Sequence, residues 1–466
     1  MTQKWWVLSA VACGTFMATL DSSIVNIALP TLTKELGSDL YQIKWVVIIY
    51  LLVITCLLLP MGRLSDQLGR KLIFQLGFSV FILGSALCGI APFLGGLVLF
   101  RALQAVGASM LMANGPAIIT STFSARERGT ALGTLAMVVS AGLVTGPSIG
   151  GLLIAQFGWR SIFWINIPIG ILGIALAHEF VKKDVPVRSS LSFDWIGTLL
   201  QTFLLILFMV FFDPPHISFS GSLPFPISRW LVMAAVICLG AAFIRVEAEA
   251  KAPLFDLSLL RNRTFWTANL AGFLTFVAFS SISVLMPFFL EEILRFPPQK
   301  AGFFMTAIPL TIFVVAPFSG RLSDQFGSQE LSFAGALVGA LGLFVMAGAI
   351  GPGIDESTSH IGIVLALCSI GLAIGLFQSP NNSAIMGAVP VSKLGMASAL
   401  LATVRNLGLV TGTGLATGLF TWRLMTTGNF ISAFHTVLFT AGLVGIGASV
   451  ASLGKKRGPH GVSKPE

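Results

Sequence analysis

The chain has 466 residues, 55% of them hydrophobic and 10% charged, with a mean hydropathy of +0.89. Soluble domains carry about 25% charged residues, so this composition cannot cover a water-facing surface and reads as an integral membrane protein. The net charge of +9 does not call for nucleic acid: the basic residues stand between apolar runs, where lysine and arginine fix membrane topology.

Fourteen apolar stretches are long enough to cross a bilayer, for which ~20 residues suffice. They cover 5–29, 45–61, 72–91, 95–119, 129–155, 160–181, 194–212, 229–248, 265–290, 301–319, 331–350, 361–386, 396–420 and 434–454. The first is longer than a signal-peptide core and is followed by no small-residue cleavage site, so it reads as a retained helix. An even count puts both termini on one side. Most of the 28 basic residues, among them Arg63, Arg70, Lys71, Lys182, Lys183, Arg261 and Arg263, then fall on the side of the termini, which are therefore expected in the cytoplasm. With the short termini, this favours a multi-pass protein of a bacterial inner membrane.

In the first stretch, Asp21 is the only one of 19 acidic residues placed deep within a span. It lies nine residues before Pro30, roughly 13 Å below the outer helix end at ~1.5 Å per residue. Ionisable groups at such depth are costly and functional by default. Arg101, about six residues into the fourth stretch, lies at a similar level, roughly 9 Å deep. The two can form a permanent bracing pair, or a site where proton, arginine and a cationic substrate compete for one carboxylate.

After the second stretch comes GRLSDQLGRK (62–71), read as a charged turn, with Gly62 and Gly69 for close approach and tight turning, Asp66 as cap or ion-pair partner, and Arg70 and Lys71 as headgroup anchors. Its hexapeptide recurs as GRLSDQ at 320–325, with Gly320, Asp324 and Gly327 kept but Ser328 and Gln329 in place of the basic pair. GLVTG at 142–146 likewise recurs at 408–412, and Pro116 of NGPA finds a counterpart in Pro380 of QSPN. Echoes in one order at near-constant spacing indicate duplication: a six-helix bundle (1–186), a two-helix linker (187–252), a second six-helix bundle in the same orientation (253–458) and a cytoplasmic tail (459–466). Parallel repeats of this kind are a transporter plan, with the substrate path where the repeats meet.

The fifth stretch carries Gly133, Gly142, Gly146, Pro147, Gly150 and Gly151, a small-residue helix suited to close backbone contact with a proline kink. In the second half, Gln378, Asn381 and Asn382 of the twelfth stretch and Arg405 of the thirteenth are polar groups at membrane depth, suited to lining a cavity or bonding across helices.

These motifs resemble the major facilitator superfamily. G-x-L-x-D-x-x-G-R-K at 62–71 is similar to its signature between helices 2 and 3, and the second copy to the degenerate form expected in the second half. LDSSIVNIALP (20–30), the glycine-proline helix and WRSIFWINIPIG (159–170) resemble motifs of the fourteen-helix drug:proton antiporters, with Ser23 where threonine is usual. The resemblance implies an all-α fold of two six-helix bundles plus two linker helices. It also implies proton-driven efflux of lipophilic, cationic small molecules by alternating access, without a cofactor. On it, Asp21, Arg101 and Asn26 handle proton or substrate, the glycine-proline helix seals the path, and Arg405 has a structural or gating role. Export of one endogenous metabolite or lipid uses the same machinery and stands as the alternative.

The expected partners are small molecules, protons and lipids. The chain reads as a monomer, and no periplasmic adaptor is legible in it. A scaffold would need neither a buried Asp21 nor a glycine-proline helix. An enzyme is excluded, because His178, His216, His360, His435 and His460 are scattered, and the five cysteines sit singly in apolar runs. No GxxxxGK[ST] loop is present, so direct ATP drive is not expected.

Overall fold

The computed structural model describes residues 3–123, 127–182, 194–212, 225–249, 259, 261–349, 356–389 and 394–454, and the regular structure among them is entirely helical. The first half runs α1 (Gln3–Glu35), α2 (Leu40–Ile43), α3 (Trp45–Leu68), α4 (Arg70–Gly89), α5 (Leu94–Thr122), α6 (Arg128–Phe157), α7 (Ser161–Trp164) and α8 (Asn166–Phe180). Two helices follow, α9 (Trp195–Phe212) and α10 (Phe225–Glu249). The second half runs α11 (Arg263–Phe288), a π-helical turn (Phe289–Ile293), α12 (Pro298–Met305), α13 (Ala307–Phe326), α14 (Ser328–Ala349), α15 (Glu356–Gly387), α16 (Leu394–Thr427) and α17 (Phe430–Ser452). Apolar residues surround most of these helices, as suits a solvent of lipid on one face and protein on the other.

Twelve helical spans among the described residues are long and apolar enough to cross a membrane. The fourteen stretches expected from the sequence all coincide with helix, but those at 194–212 and 396–420 are not among the twelve. In α9 the described side chains give an apolar helix over Trp195–Phe208, short of the ~20 residues a span needs, and the sequence stays apolar through Phe212. In α16, Arg405 and Asn406 interrupt the apolar run and threonine and glycine dilute it.

The chain divides into two compact units. One comprises Met1–Leu257, Pro287–Phe303 and Thr413–Gly418; the other comprises Ser258–Met286, Phe304–Gly412 and Leu419–Glu466. In the first unit α1 packs on α5, α6 and α8, α4 on α5 and α8, and α3 on α5. In the second, α14 packs on α15 and α17, and α13 on α15. The linker helices α9 and α10 pack on each other, and α9 on α3.

The repeated hexapeptide is not a turn. Residues 62–67 form the end of α3 and residues 320–325 the end of α13. Each chain reversal is made by one glycine: Gly69 at φ 101°, its N–H bonding Ser65 O at 2.9 Å, and Gly327 at φ 95°, its N–H bonding Ser323 O at 3.0 Å. Helix propensity carries GRLSDQ onward until the first residue that enters positive φ without a Cβ penalty. A Cβ on Gly62, by contrast, would meet open space, so close approach is not its purpose. Gly69→Ala is therefore expected to cost about 1–3 kcal/mol, while Gly62→Ala stays within about 0.5 kcal/mol. Thermal unfolding in detergent, followed by labelling of the buried Cys56 and Cys88, measures both.

Candidate functional site

Arg70 and Lys71 bind inside the protein rather than serving only as headgroup anchors. Lys71 Nζ donates to His178 O at the end of α8 (2.6 Å), and Arg70 Nη1 donates to Ala117 O of α5 (3.4 Å). In the second unit Gln329, at the place of Lys71, donates to Leu453 O just beyond α17 at 2.9 Å. The link between the third and sixth helices of each half therefore survives the loss of charge. The side chains of Asp66 and Asp324, and the surroundings of Gly133, lie outside the described residues.

Deep in the first unit, Asp21 of α1 and Arg101 of α5 form a buried ion pair through Asp21 Oδ2 and Arg101 Nη1. Asp21 is 0% exposed and Arg101 1%. The other carboxylate oxygen, Oδ1, accepts from Gln104 Nε2 (2.8 Å) and from Asn166 Nδ2 of α8 (2.9 Å). Gln104 and Asn166 also donate to Ser85 Oγ of α4, at 2.6 and 3.2 Å. Arg101 is held further by Gln104 Oε1 (2.7 Å), by its Nε–H to Val46 O of α3 (3.1 Å), and by the Tyr50 ring 4.0 Å from its Cζ. Five helices thus converge on one carboxylate. An uncompensated charge there would be prohibitive; this one is paired and hydrogen-bonded on both oxygens.

Asp21 and Arg101 do meet. Asn26, five residues along α1, does not join them; it is half-buried and its Oδ1 has no hydrogen-bond partner. Sequence reasoning missed Gln104, Asn166 and Ser85. Gln104 was findable, since it stands one turn from Arg101 on the same helix face. Asn166 lies within WRSIFWINIPIG, whose Trp159 and Arg160 tie that segment down by Nε1 to Glu35 Oε2 (2.8 Å) and Nη2 to Ala91 O (3.2 Å). Ser85 gave no signal. Glu291 stands in the π-helical turn, 7% exposed, its Oε1 without a hydrogen-bond partner among the described residues.

The glycines of α6 press against the same stretch of α1. A Cβ on Gly142 would collide with Thr19 Oγ1, one on Gly146 with Ser23 Oγ, and one on Gly150 would lie 2.6 Å from Ile24 Cγ1. Ser23 Oγ donates to Gly142 O across this contact at 3.2 Å. On the adjoining face, a Cβ on Gly151 would meet Pro298 O at 2.5 Å, and Pro147 O closes on Gly302. The second unit repeats the arrangement: Gly412 of the second GLVTG faces Ser280 of α11 as Gly146 faces Ser23.

Also in the second unit, Gln378, Asn381, Asn382 and Arg405 line one cleft together with Asn269, Gly272 and Phe276 of α11 and Phe377 of α15. A Cβ on Gly320 would meet Ser379 Oγ at 3.2 Å. Among the described residues no group of three or more His, Cys, Asp and Glu is arranged to hold a metal ion.

Comparison with known proteins decides the family. The model of the Major Facilitator Superfamily matches residues 11–413. This chain belongs to the major facilitator superfamily. Among similar superfamily proteins, the riboflavin transporter RibZ of Clostridioides difficile (strain 630) is 37% identical over 423 residues, covering 90% of this chain and 89% of the relative. The multidrug resistance protein Stp of Mycobacterium tuberculosis (strain CDC 1551 / Oshkosh) is 31% identical over 407 residues, covering 87% and 74%. The methyl viologen resistance protein SmvA of Salmonella typhimurium is 28% identical over 422 residues, covering 89% and 82%. A solved POT family transporter in complex with 5-aminolevulinic acid superposes with a TM-score of 0.70 over 95% of this chain and 94% of that one, at 16% identity, a likeness of fold alone. As a superfamily member the chain is a multi-pass membrane transporter of small molecules, not an enzyme.

Proposed function

We propose that this transporter exports lipophilic small molecules in exchange for protons. On this reading two six-helix halves (1–186 and 253–458) alternate in access and 187–252 links them, in an inner membrane with both termini cytoplasmic. The transporter acts as a monomer and draws on the proton gradient without a cofactor. The observation that carries the reading is the Asp21 carboxylate, fully buried yet held by groups from α5 and α8. Protonating Asp21 removes the negative half of the ion pair and leaves the Arg101 charge with neutral partners only, Val46 O, Gln104 Oε1 and the Tyr50 ring. A proton thus biases how α1 and α5 engage, which is what a coupling ion must do to a two-state element. Both carboxylate oxygens are already occupied, so the group competing for Asp21 is the proton, and the substrate need not be a cation.

The relatives named for multidrug and methyl viologen resistance support broad export. The identity to RibZ favours a second reading, in which the substrate is one planar heteroaromatic metabolite such as riboflavin. Reconstitution into liposomes carrying a pH dye tests both, with ethidium and riboflavin as probes. Substrate-dependent proton movement is expected in the wild type. In Asp21→Asn that movement should fall at least tenfold, while exchange of labelled for unlabelled probe persists. Substrate flux without proton movement in the wild type would sink the coupling; flux of riboflavin but not ethidium would install the second reading.

A further inference from the structure

The cleft in the second unit holds a cation that no anion balances among the described residues. Arg405 makes no hydrogen bond or ion pair among the described residues, although it stands about 11 residues, roughly 16 Å, inside α16. The sequences of α11 and α16 contain no acidic residue, and that of α15 contains only Glu356 in its first turn, about 33 Å along the helix from Gln378. Around the guanidinium stand amides that are themselves incomplete. Asn381 is 3% exposed and Asn269 8%, yet the Oδ1 of each has no hydrogen-bond partner among the described residues. Asn269 Nδ2 is spent on Phe265 O at 2.8 Å, which leaves its oxygen as the unsatisfied group. Gln378 likewise has no partner among the described residues, and Phe276 and Phe377 wall the space.

Arg405 is half-buried, and at membrane depth a charge is paired and a buried amide oxygen satisfied unless a site awaits a ligand. This set is complementary to a head group that brings negative charge to Arg405. Two amide oxygens stand ready for an N–H or O–H beside that charge, and the phenylalanines offer an apolar wall to the attached body. The cleft has room for about one water, less than a carboxylate fills, so it must widen to take the head of a ligand and does not take its bulk.

We propose that the cleft formed by Asn269, Gln378, Asn381 and Arg405 is a substrate subsite for the carboxylate of an aromatic organic anion. The proposal deepens the transport reading by naming the charge class of the substrate, and it opposes the cationic class expected from sequence. A guanidinium grips a carboxylate through paired N–H donors, which a lysine cannot reproduce. In Asp21 the first half holds a carboxylate neutralised by its own arginine; Arg405 has no such internal partner, and the substrate supplies it.

The test is equilibrium binding to the purified full-length protein of three probes that share one body: 2-naphthoate, 2-naphthamide and 2-naphthylmethylammonium. Wild type is expected to bind naphthoate at least tenfold more tightly than the ammonium, with the amide between. Arg405→Gln should weaken naphthoate at least tenfold without changing the ammonium, and Arg405→Lys should recover only part of the loss. Equal binding of the three probes by wild type would overturn the proposal even if the Arg405 variants failed to fold. So would displacement of naphthoate by an equal concentration of chloride, which would make the cleft an inorganic anion site only. Binding is read without a gradient, so loss of proton coupling in Asp21→Asn leaves this result untouched, and the two readings fail separately.

Discussion

Replacing Arg101 by leucine is expected to destabilise the protein by about 3–5 kcal/mol, the range found when one partner of a buried ion pair is removed. The cause is what remains. Asp21, 0% exposed, would keep the hydrogen bonds from Gln104 and Asn166 but lose the charge that balances it. Val46 O would lose its bond from Arg101 Nε, and the Tyr50 ring its cation. Adding Asp21→Asn should recover much of the loss, because the neutral amide needs no counter-ion. The two changes should therefore be strongly non-additive in a double-mutant cycle read by thermal unfolding in detergent. Additive losses would mean that the pair contributes packing alone. Transport separates stability from coupling: the double variant is expected to fold and bind substrate, yet move no protons.

Gly146→Ala is expected to abolish transport with a smaller loss of stability, about 1–3 kcal/mol from overpacking. The added methyl would collide with Ser23 Oγ, and Ser23 cannot turn away freely because its hydroxyl lies between Leu20 O (3.0 Å) and Gly142 O (3.2 Å). The strain is relieved by moving α1 away from α6, and Asp21 lies two residues from the point of collision. A shift there misplaces the carboxylate against Arg101 and Gln104. Ser23→Gly on the same chain removes the obstacle and should restore transport in part. Gly418→Ala, where a Cβ meets open space, is the control and should leave transport unchanged. If Gly146→Ala transported at the wild-type rate, the close contact of α1 and α6 would have no part in the cycle.

The sequence alone determined the fold class, because so little charge cannot clothe a soluble surface and the apolar runs have the length of a bilayer. It also placed Asp21, whose depth follows from helix rise and whose cost in lipid makes it a candidate for function. The duplicated motifs announced two equivalent halves, and the Gly146–Ser23 and Gly412–Ser280 contacts repeat accordingly. What sequence misjudged were local questions with tertiary or backbone answers. GRLSDQ looked like a turn because it is polar, but polarity does not end a helix; a residue that accepts positive φ does, and that is Gly69.

Only the tertiary structure decided what surrounds each buried charge. Gln104 and Asn166 reach Asp21 from two different helices and Ser85 holds both of them from a third, and nothing in one-dimensional spacing sets which faces of separate helices meet. The same holds for Arg405, whose place in α16 was plain while its lack of a counter-ion among the described residues was not. Depth is set by position along a helix and so can be read from sequence. The partners of a charge depend on helix rotation and packing, and the packed structure alone fixes those.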